Sequence, residues 1–462
     1  MSDEFDVIVI GGGPAGENAA GRCSDGGLSA ALVERELVGG ECSFWGCIPS
    51  KTLLRPGEVV AAARRVPGAA QAVTGRIDAV AALARRDAMT SNWSDEGQLP
   101  WLKEHGVELV RGRGRLAGAR TVEVERSDGS VRRLTARRAV VLATGTSAVI
   151  PPIPGLRELD PWDNRKATGA REIPRRLLVL GGGFIGAELA QAFRRLGAEE
   201  VTVIEAAERL LLREEPFAGA EVQDAFEAEG ITVLTGAKLV AARRTSDSVV
   251  ATLEDGRELA GDEILVAVGR RPATGDLGLE VVGLEPGRYV EVDDRLRARA
   301  VPEGWLYAVG DCNGKALLTH MGKYQARLAA DVILGKDVTD RASDDVVPRV
   351  TFTDPQVCAV GLTEAQARER GLAVRVVTYP TGGVSGASTR AETFAGTSCL
   401  VVDESRRVLV GATFTGPDTA ELLHSATVAM AGQVSLDRLW HAVPSFPTVS
   451  EVWLRLLEAY GL

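Results

Sequence analysis

The sequence predicts an α/β chain that carries two copies of one strand, glycine loop, helix and strand unit, with a smaller α+β region after them. Three observations support this. The segment DVIVIGGGPAGENAAGRCSDGGLSAALVERE recurs in kind as RRLLVLGGGFIGAELAQAFRRLGAEEVTVIEAAE. Each copy opens on an aliphatic, β-branched run, breaks at three glycines, continues in a small-residue helical pattern and ends in a second strand closed by a glutamate. After Lys336 the character changes to short alternating strands such as RVTFTD and GATFTG mixed with helices, the pattern of an α+β domain.

At 462 residues the chain is too long for a single hydrophobic core, so several domains are expected. Its 53 basic and 63 acidic residues give a net charge of −10. No Lys/Arg run of the kind that tracks a phosphate backbone is present, which argues against a nucleic-acid partner. The start, MSDEFDVIVIGGG, has acids where an export signal needs positive charge. No apolar stretch approaches the roughly 18 residues of a membrane span. Six cysteines without an export signal point to a reducing compartment, and the cytoplasm is expected. Cys23, Cys312, Cys358 and Cys399 stand alone and read as small buried residues. Only Cys42 and Cys47 lie close together.

A lone G-x-G-x-x-G is weak evidence, but here context supports it. Gly11, Gly13 and Gly16 lie between a strand and a helix, and Glu34 closes the next strand, where a carboxylate accepts a ribose hydroxyl. Gly181, Gly183 and Gly186 repeat the arrangement with Glu205 in the acidic position. Bare backbone amides at a helix N-terminus approach a pyrophosphate only where no side chain intervenes. Two complete copies imply two bound dinucleotides and two Rossmann-like domains. Glu205 favours NAD(H) over NADP(H), since a carboxylate there accepts the ribose hydroxyls and repels an added phosphate; Arg209, four residues on, softens that preference. Gly57 to Leu116 reads as helices followed by a small sheet. Pro151, Pro152 and Pro154 mark a crossing into the second domain, and the turn from Gly269 to Pro272 marks the return. The expected boundaries are 1–150 and 273–340 for the first dinucleotide domain, 151–272 for the second and 341–462 for the α+β domain.

The chemistry is expected in GGECSFWGCIPSKTLL. Four residues separate Cys42 from Cys47, and the segment from Pro49 reads as a helix beginning around the pair. A helix N-terminus stabilises a thiolate, the form that attacks a disulfide. Metal ligation is the weaker reading, because no second ligand pair or histidine cluster accompanies the cysteines, and no metal site is expected.

These motifs resemble the pyridine nucleotide-disulfide oxidoreductase family, whose members include glutathione reductase, dihydrolipoamide dehydrogenase and mercuric reductase. The resemblance rests on GGGPAG, the C-x-x-x-x-C-I-P-S-K segment, VLATG, GGGFIGAE, VAVGRRP, LYAVGDCNG, VTFTDPQVCAVGLTEAQA and FPTVSE, and covers nearly the whole chain. It implies an FAD domain split around an NAD(P) domain, then a dimerisation domain whose last segment completes the active site of the other subunit in a homodimer. By position, Cys47 resembles the flavin-proximal thiolate and Cys42 the interchange thiol. Lys51 resembles the lysine beside the flavin and Glu188 its carboxylate partner. Asp311 resembles the acid that binds the ribityl chain, and Phe184 an aromatic gate over the flavin. Thr144, Gly145 and Gly269 fall in the family's cofactor-binding segments. The implied activity passes electrons from NAD(P)H through FAD to a Cys42–Cys47 disulfide and on to a small sulfur substrate.

One landmark departs from the family. Its closing His-x-His-Pro-Thr-x-x-Glu, in which the second histidine relays protons and the glutamate orients it, stands here as Pro444-Ser445-Phe446-Pro447-Thr448-Val449-Ser450-Glu451. Phenylalanine moves no proton, and general acid–base help is typically worth about 10²–10⁴-fold in rate. A substrate that needs no enzyme acid fits this site. One such substrate is a disulfide whose leaving thiol has a low pKa. Another is a thioether, as in 2-ketopropyl-coenzyme M oxidoreductase/carboxylase, a family member that also bears phenylalanine at the base position but lacks the glutamate. An NADH oxidase or diaphorase, with the cysteines secondary, is a third reading. Phe44 and Trp45 are expected to pack beneath the dithiol helix rather than wall a substrate pocket, and His441 is a weak stand-in for the base.

Overall fold

Aliphatic residues carry the first strand, Glu4–Ile10, into the middle of a sheet where Val7, Ile8 and Val9 are fully buried. The structure, a computed structural model, describes residues 3–462. The chain divides into two units. One holds the residues up to Pro49, Asp87–Val149 and Gly269–Asp344; the other holds Ser50–Arg86, Ile150–Val268 and Asp345–Leu462.

In the first unit, parallel strands run in the order Glu108–Arg111, Ala30–Glu34, Glu4–Ile10 and Val131–Leu142, with Leu306–Ala308 on the far side of the last. Val131–Leu142 is long enough to serve two pairings. Its C-terminal residues run parallel to Glu4–Ile10, while Val131 to Thr135 pair antiparallel with Thr121–Glu125, which pairs in turn with Arg113–Gly118. The helix Pro14–Asp25 covers the sheet through Ala19, Ala20 and Cys23 and packs on the helix Thr319–Ile333.

In the second unit the pattern repeats around Arg176–Leu180, flanked in parallel by Glu200–Ile204 and Glu263–Val266, with Ile231–Leu234 at the edge. The helix Phe184–Leu196 follows the glycine loop and buries Ala187 to Phe193. The C-terminal part is a five-stranded antiparallel sheet ordered Arg349–Thr351, Gln356–Gly361, Val408–Gly416, Thr397–Asp403 and Val374–Pro380. The helices Ala420–Ala431 and Val452–Tyr460 pack on it around Phe414 and Leu456. The architecture is the α/β fold with a C-terminal α+β domain that the sequence predicts.

The dithiol helix spans Cys47–Arg64 and passes through Pro56 and Gly57 without a break. Gly57 therefore starts no new segment. A Cβ there would lie 2.6 Å from Cδ of Arg195, so the bare backbone lets that arginine lie against the helix.

The two glycine loops share one packing solution. Gly11 and Gly181 both hold φ at +107°, a conformation that L side chains rarely adopt. A Cβ on Gly16 would overlap the carbonyl oxygen of Gly11, and one on Gly186 that of Gly181. These third glycines let each helix start directly against its own strand. Gly16→Ala is therefore expected to destabilise the protein by about 1–3 kcal/mol, read as a lower urea midpoint with an unchanged slope. A midpoint equal to that of the parent would show that the helix start has room to yield.

Candidate active site and nucleotide sites

The first nucleotide site is assembled entirely within the first unit. Glu34 Oε2 accepts the amide of Gly12 at 2.5 Å and Oε1 accepts the amide of Glu36 at 2.6 Å, so one buried carboxylate pins the loop and the chain after the strand. A Cβ on Gly13 would meet nothing within 4 Å. That leaves open space at the N-terminus of the 12-residue helix Pro14–Asp25, where a phosphate takes up the free amides. Thr144 Oγ1 is buried without a hydrogen-bond partner among the described residues, and Gly145 follows it with φ +70°. Asp311 Oδ2 accepts the hydroxyl of Thr146 at 2.7 Å. Burial pushes the Asp311 carboxyl above its ordinary value, while Thr146 and Arg270 partly offset it. The cradle, the orphaned hydroxyl and the ribose-height carboxylate fit FAD.

Arg270 was not singled out from the sequence. Its Nε donates to Thr146 Oγ1 at 2.7 Å and its Nη2 to Thr146 O at 2.8 Å, placing a guanidinium behind the hydroxyl that serves Asp311. The carbonyl of Gly269, next to it, accepts the amide of Val149 at 3.0 Å.

The second nucleotide site repeats the first. Glu205 Oε2 accepts the amide of Gly182 at 2.6 Å and Oε1 that of Ala207 at 2.7 Å. A Cβ on Gly183 would again meet nothing within 4 Å. Phe184 opens the following helix with 45% of its surface exposed. Arg209 is turned to its own loop: it donates to the carbonyls of Leu211, Leu212 and Glu214 at 3.1, 2.9 and 3.0 Å. These residues fit a nicotinamide dinucleotide.

The thiol pair lies in the first unit. Cys42 belongs to the short helix Gly40–Phe44, and Cys47 is the first residue of the dithiol helix. The Cys42 thiol is held well above its ordinary value, first by its hydrogen bond to Cys47 and then by burial, with Thr319 and Lys323 opposing. The proton thus stays on Cys42, a hydrogen bond away from Cys47. Thr319, which opens the helix Thr319–Ile333, stands 3.3 Å from Cys47 Sγ. That residue also escaped the sequence reading, because 272 positions separate it from Cys47. Phe44 is buried and its carbonyl accepts Nε1 of Trp93 at 3.1 Å. The four isolated cysteines are buried, and burial pushes each thiol up to about 12, the behaviour of inert thiols.

In the second unit, Lys51 Nζ donates to Glu188 Oε2 at 2.7 Å, and Glu188 is only 2% exposed. The closing segment separates its two residues. Phe446 is 74% exposed, whereas Glu451 is buried, with Oε1 accepting Arg455 at 2.8 Å. Glu451 Oε2 has no hydrogen-bond partner among the described residues. His441 is exposed.

Paired glycine-loop nucleotide sites and a thiol pair sharing a hydrogen bond at a helix start define a nucleotide-dependent disulfide oxidoreductase. The chain belongs to the pyridine nucleotide-disulphide oxidoreductase family: residues 5–329 match that family and residues 347–456 its dimerisation domain. It is 35% identical to a dihydrolipoyl dehydrogenase of Thermus scotoductus over 98% of this chain and 97% of the relative. It is 31% identical to a mercuric reductase of Staphylococcus aureus over 97% of this chain and 81% of that protein. Among solved structures, the Cu(II) complex of the HOCl-induced flavoprotein disulfide reductase RclA from Escherichia coli superposes with a TM-score of 0.87 at 26% identity, over 99% of both chains. LpdA from Mycobacterium tuberculosis also gives 0.87 at 26% identity, over 99% of this chain and 100% of its own. Members of the family bind FAD and NAD(P). No helix among the described residues is long and apolar enough to cross a membrane.

Glu17, in the first turn of the loop helix, is a further group the sequence reading missed. Burial raises its carboxyl from 4.5 to about 7, with Lys323 opposing and Glu34 adding to the rise. A carboxyl raised on folding contributes no penalty below the unfolded value. The penalty grows between about 4.5 and 7 and is complete above that. Glu17→Gln should therefore stabilise the FAD-loaded protein by roughly 2–3 kcal/mol at pH 8 and have little effect at pH 4.5. Equal gains in urea unfolding at both pH values would show that the effect does not come from ionising a buried Glu17 carboxyl.

Proposed function

We propose that the protein is an NADH-driven, FAD-dependent oxidoreductase that reduces a small disulfide or related sulfur compound through Cys42 and Cys47, without a histidine acid–base, and works as a cytoplasmic homodimer. The observation that carries this reading is the thiol pair itself: Cys42 and Cys47 share a hydrogen bond at the start of the dithiol helix, with Thr319 Oγ1 3.3 Å from Cys47 Sγ. FAD, when bound, supplies the two-electron relay between the nicotinamide and the dithiol. On losing its proton, Cys42 attacks a substrate sulfur, forming a mixed disulfide and releasing the first thiol. Cys47 then attacks Cys42 Sγ, releases the second thiol and leaves the Cys42–Cys47 disulfide, which two electrons from NADH reduce again. Lys51, neutralised by Glu188, is assigned to hold positive charge beside the flavin, Asp311 to hold the ribityl chain and Phe184 to yield to the nicotinamide.

Preference for NADH is supported by Glu205 at the ribose position and by Arg209, whose guanidinium is spent on three carbonyls of its own loop. The match to the family's dimerisation domain supports the homodimer. With Phe446 in the closing segment, the substrate is assigned to sulfur compounds whose leaving group departs without an enzyme proton. Thioether cleavage shares that requirement.

A second reading is favoured by the likeness to mercuric reductase. A thiophilic metal ion reduced at the same thiols would release no alkyl thiolate, and so would need no acid at position 446.

Anaerobic titration of the FAD-loaded protein with NADH, followed in the visible, tests the reading. A broad long-wavelength band is expected at two electrons, retained in Cys42→Ser and lost in Cys47→Ser. Turnover of a small disulfide should disappear in both variants. Bleaching of the flavin without that band would remove the cysteines from the electron path and leave an oxidase or diaphorase. Phe446→His should raise turnover of an unactivated alkyl disulfide by about 10- to 100-fold. An unchanged rate would show that the missing imidazole does not set the substrate range.

A further inference from the structure

The Lys51–Glu188 pair is held by a third residue from a distant part of the chain. Phe352 follows the strand Arg349–Thr351. Its backbone amide donates to Glu188 Oε1 at 3.0 Å, the oxygen that Lys51 leaves free. Its ring lies under the ammonium, with Lys51 Nζ 4.8 Å from the ring centroid. One residue thus engages both charges: the amide satisfies the carboxylate, and the negative face of the ring attracts the cation.

Residue 352 is itself braced. Gln191, one turn after Glu188, accepts the amide of Asp354 at 2.8 Å and donates to its carbonyl at 3.0 Å. Arg195, a turn further, donates to Asp354 Oδ2 at 2.9 Å, and Arg65, the residue after the dithiol helix, reaches the same carboxylate. Thr353 Oγ1 donates to Pro355 O at 2.7 Å. Residues 188, 191 and 195 share one helix face, so the helix grips the 352–355 turn at three successive levels. Phe352 also packs on the apolar cluster that includes Leu53, Leu54, Ala192 and Leu196. Neither ring nor amide is free to drift.

We infer that Phe352 is a positioning residue for the redox reaction, holding the Lys51 ammonium in place through its ring while its amide fixes Glu188. This rests on the assignment of Lys51 to the flavin given above. A loosened ammonium stabilises the negative charge of a reduced flavin less well, so the reduced state should lose population.

The test uses the full-length, FAD-loaded protein and reads the equilibrium constant for flavin reduction against a redox dye of known potential, together with the long-wavelength band. Phe352→Leu keeps the backbone amide and most of the apolar volume while removing the ring face. It should lower the equilibrium constant about two- to fivefold, and Phe352→Tyr should restore it. In a Lys51→Met background, Phe352→Leu should change nothing further. If leucine and tyrosine variants shift alike, or if the leucine effect persists without Lys51, the ring acts only through packing and the inference fails. If Phe352→Leu is silent while Lys51→Met lowers the constant, the inference alone fails. If Lys51→Met is itself silent, the underlying assignment of Lys51 fails as well.

Discussion

Bringing a chain of phosphates against naked peptide requires a loop that is bare, tight and fixed, and the rest of this protein is arranged around meeting that requirement twice. Bareness comes from Gly13 and Gly183, where a side chain would project into open space meant for ligand. Tightness comes from Gly16 and Gly186, which let the helix begin against its strand. Fixity comes from Glu34 and Glu205, whose carboxylates each take one loop amide and one amide beyond the strand. Those contacts leave lone pairs on the same oxygens for ribose hydroxyls. A single residue type at the strand end therefore orders each loop.

The thiol pair faces a different problem, the placement of one proton between two sulfurs. Cys47 opens a helix and stands 3.3 Å from the Thr319 hydroxyl, while the Cys42 thiol is held above its ordinary value by its hydrogen bond to Cys47 and by burial. On the proposed assignment the attacking thiol is the one that carries its proton, and some group must receive that proton when the attack begins. An imidazole is the usual answer. On the same proposal, with an exposed phenylalanine in the closing segment, the burden passes to the substrate or solvent.

What the sequence made legible follows the range of each interaction. The loops, the glutamates and the cysteine pair are written within about thirty residues of chain, where spacing alone carries the geometry. The helix beginning at the pair was legible too, although its run through Pro56 and Gly57 was not, because Gly57 answers to Arg195 on another helix. Thr319 at Cys47, Arg270 behind Thr146 and Phe352 at Glu188 are separated from their partners by 272, 124 and 164 positions. No periodicity links such residues, and only the folded chain brings them together. Glu17 escaped for another reason: an acid in the first turn of a helix is ordinary, and its abnormality lies wholly in its burial.

Glu451 bears on whether the phenylalanine reflects a decayed enzyme. Its Oε2 is buried without a partner among the described residues, a condition that typically costs about 1–3 kcal/mol. Stability alone would favour a neutral side chain there, since Arg455 needs only one acceptor. The Lys51–Glu188–Phe352 contacts are also demanding, because removing Lys51 would leave the buried Glu188 carboxylate poorly compensated. Their presence alongside a complete thiol pair therefore supports a working redox site that dispenses with its imidazole, rather than the remnant of one that needed it.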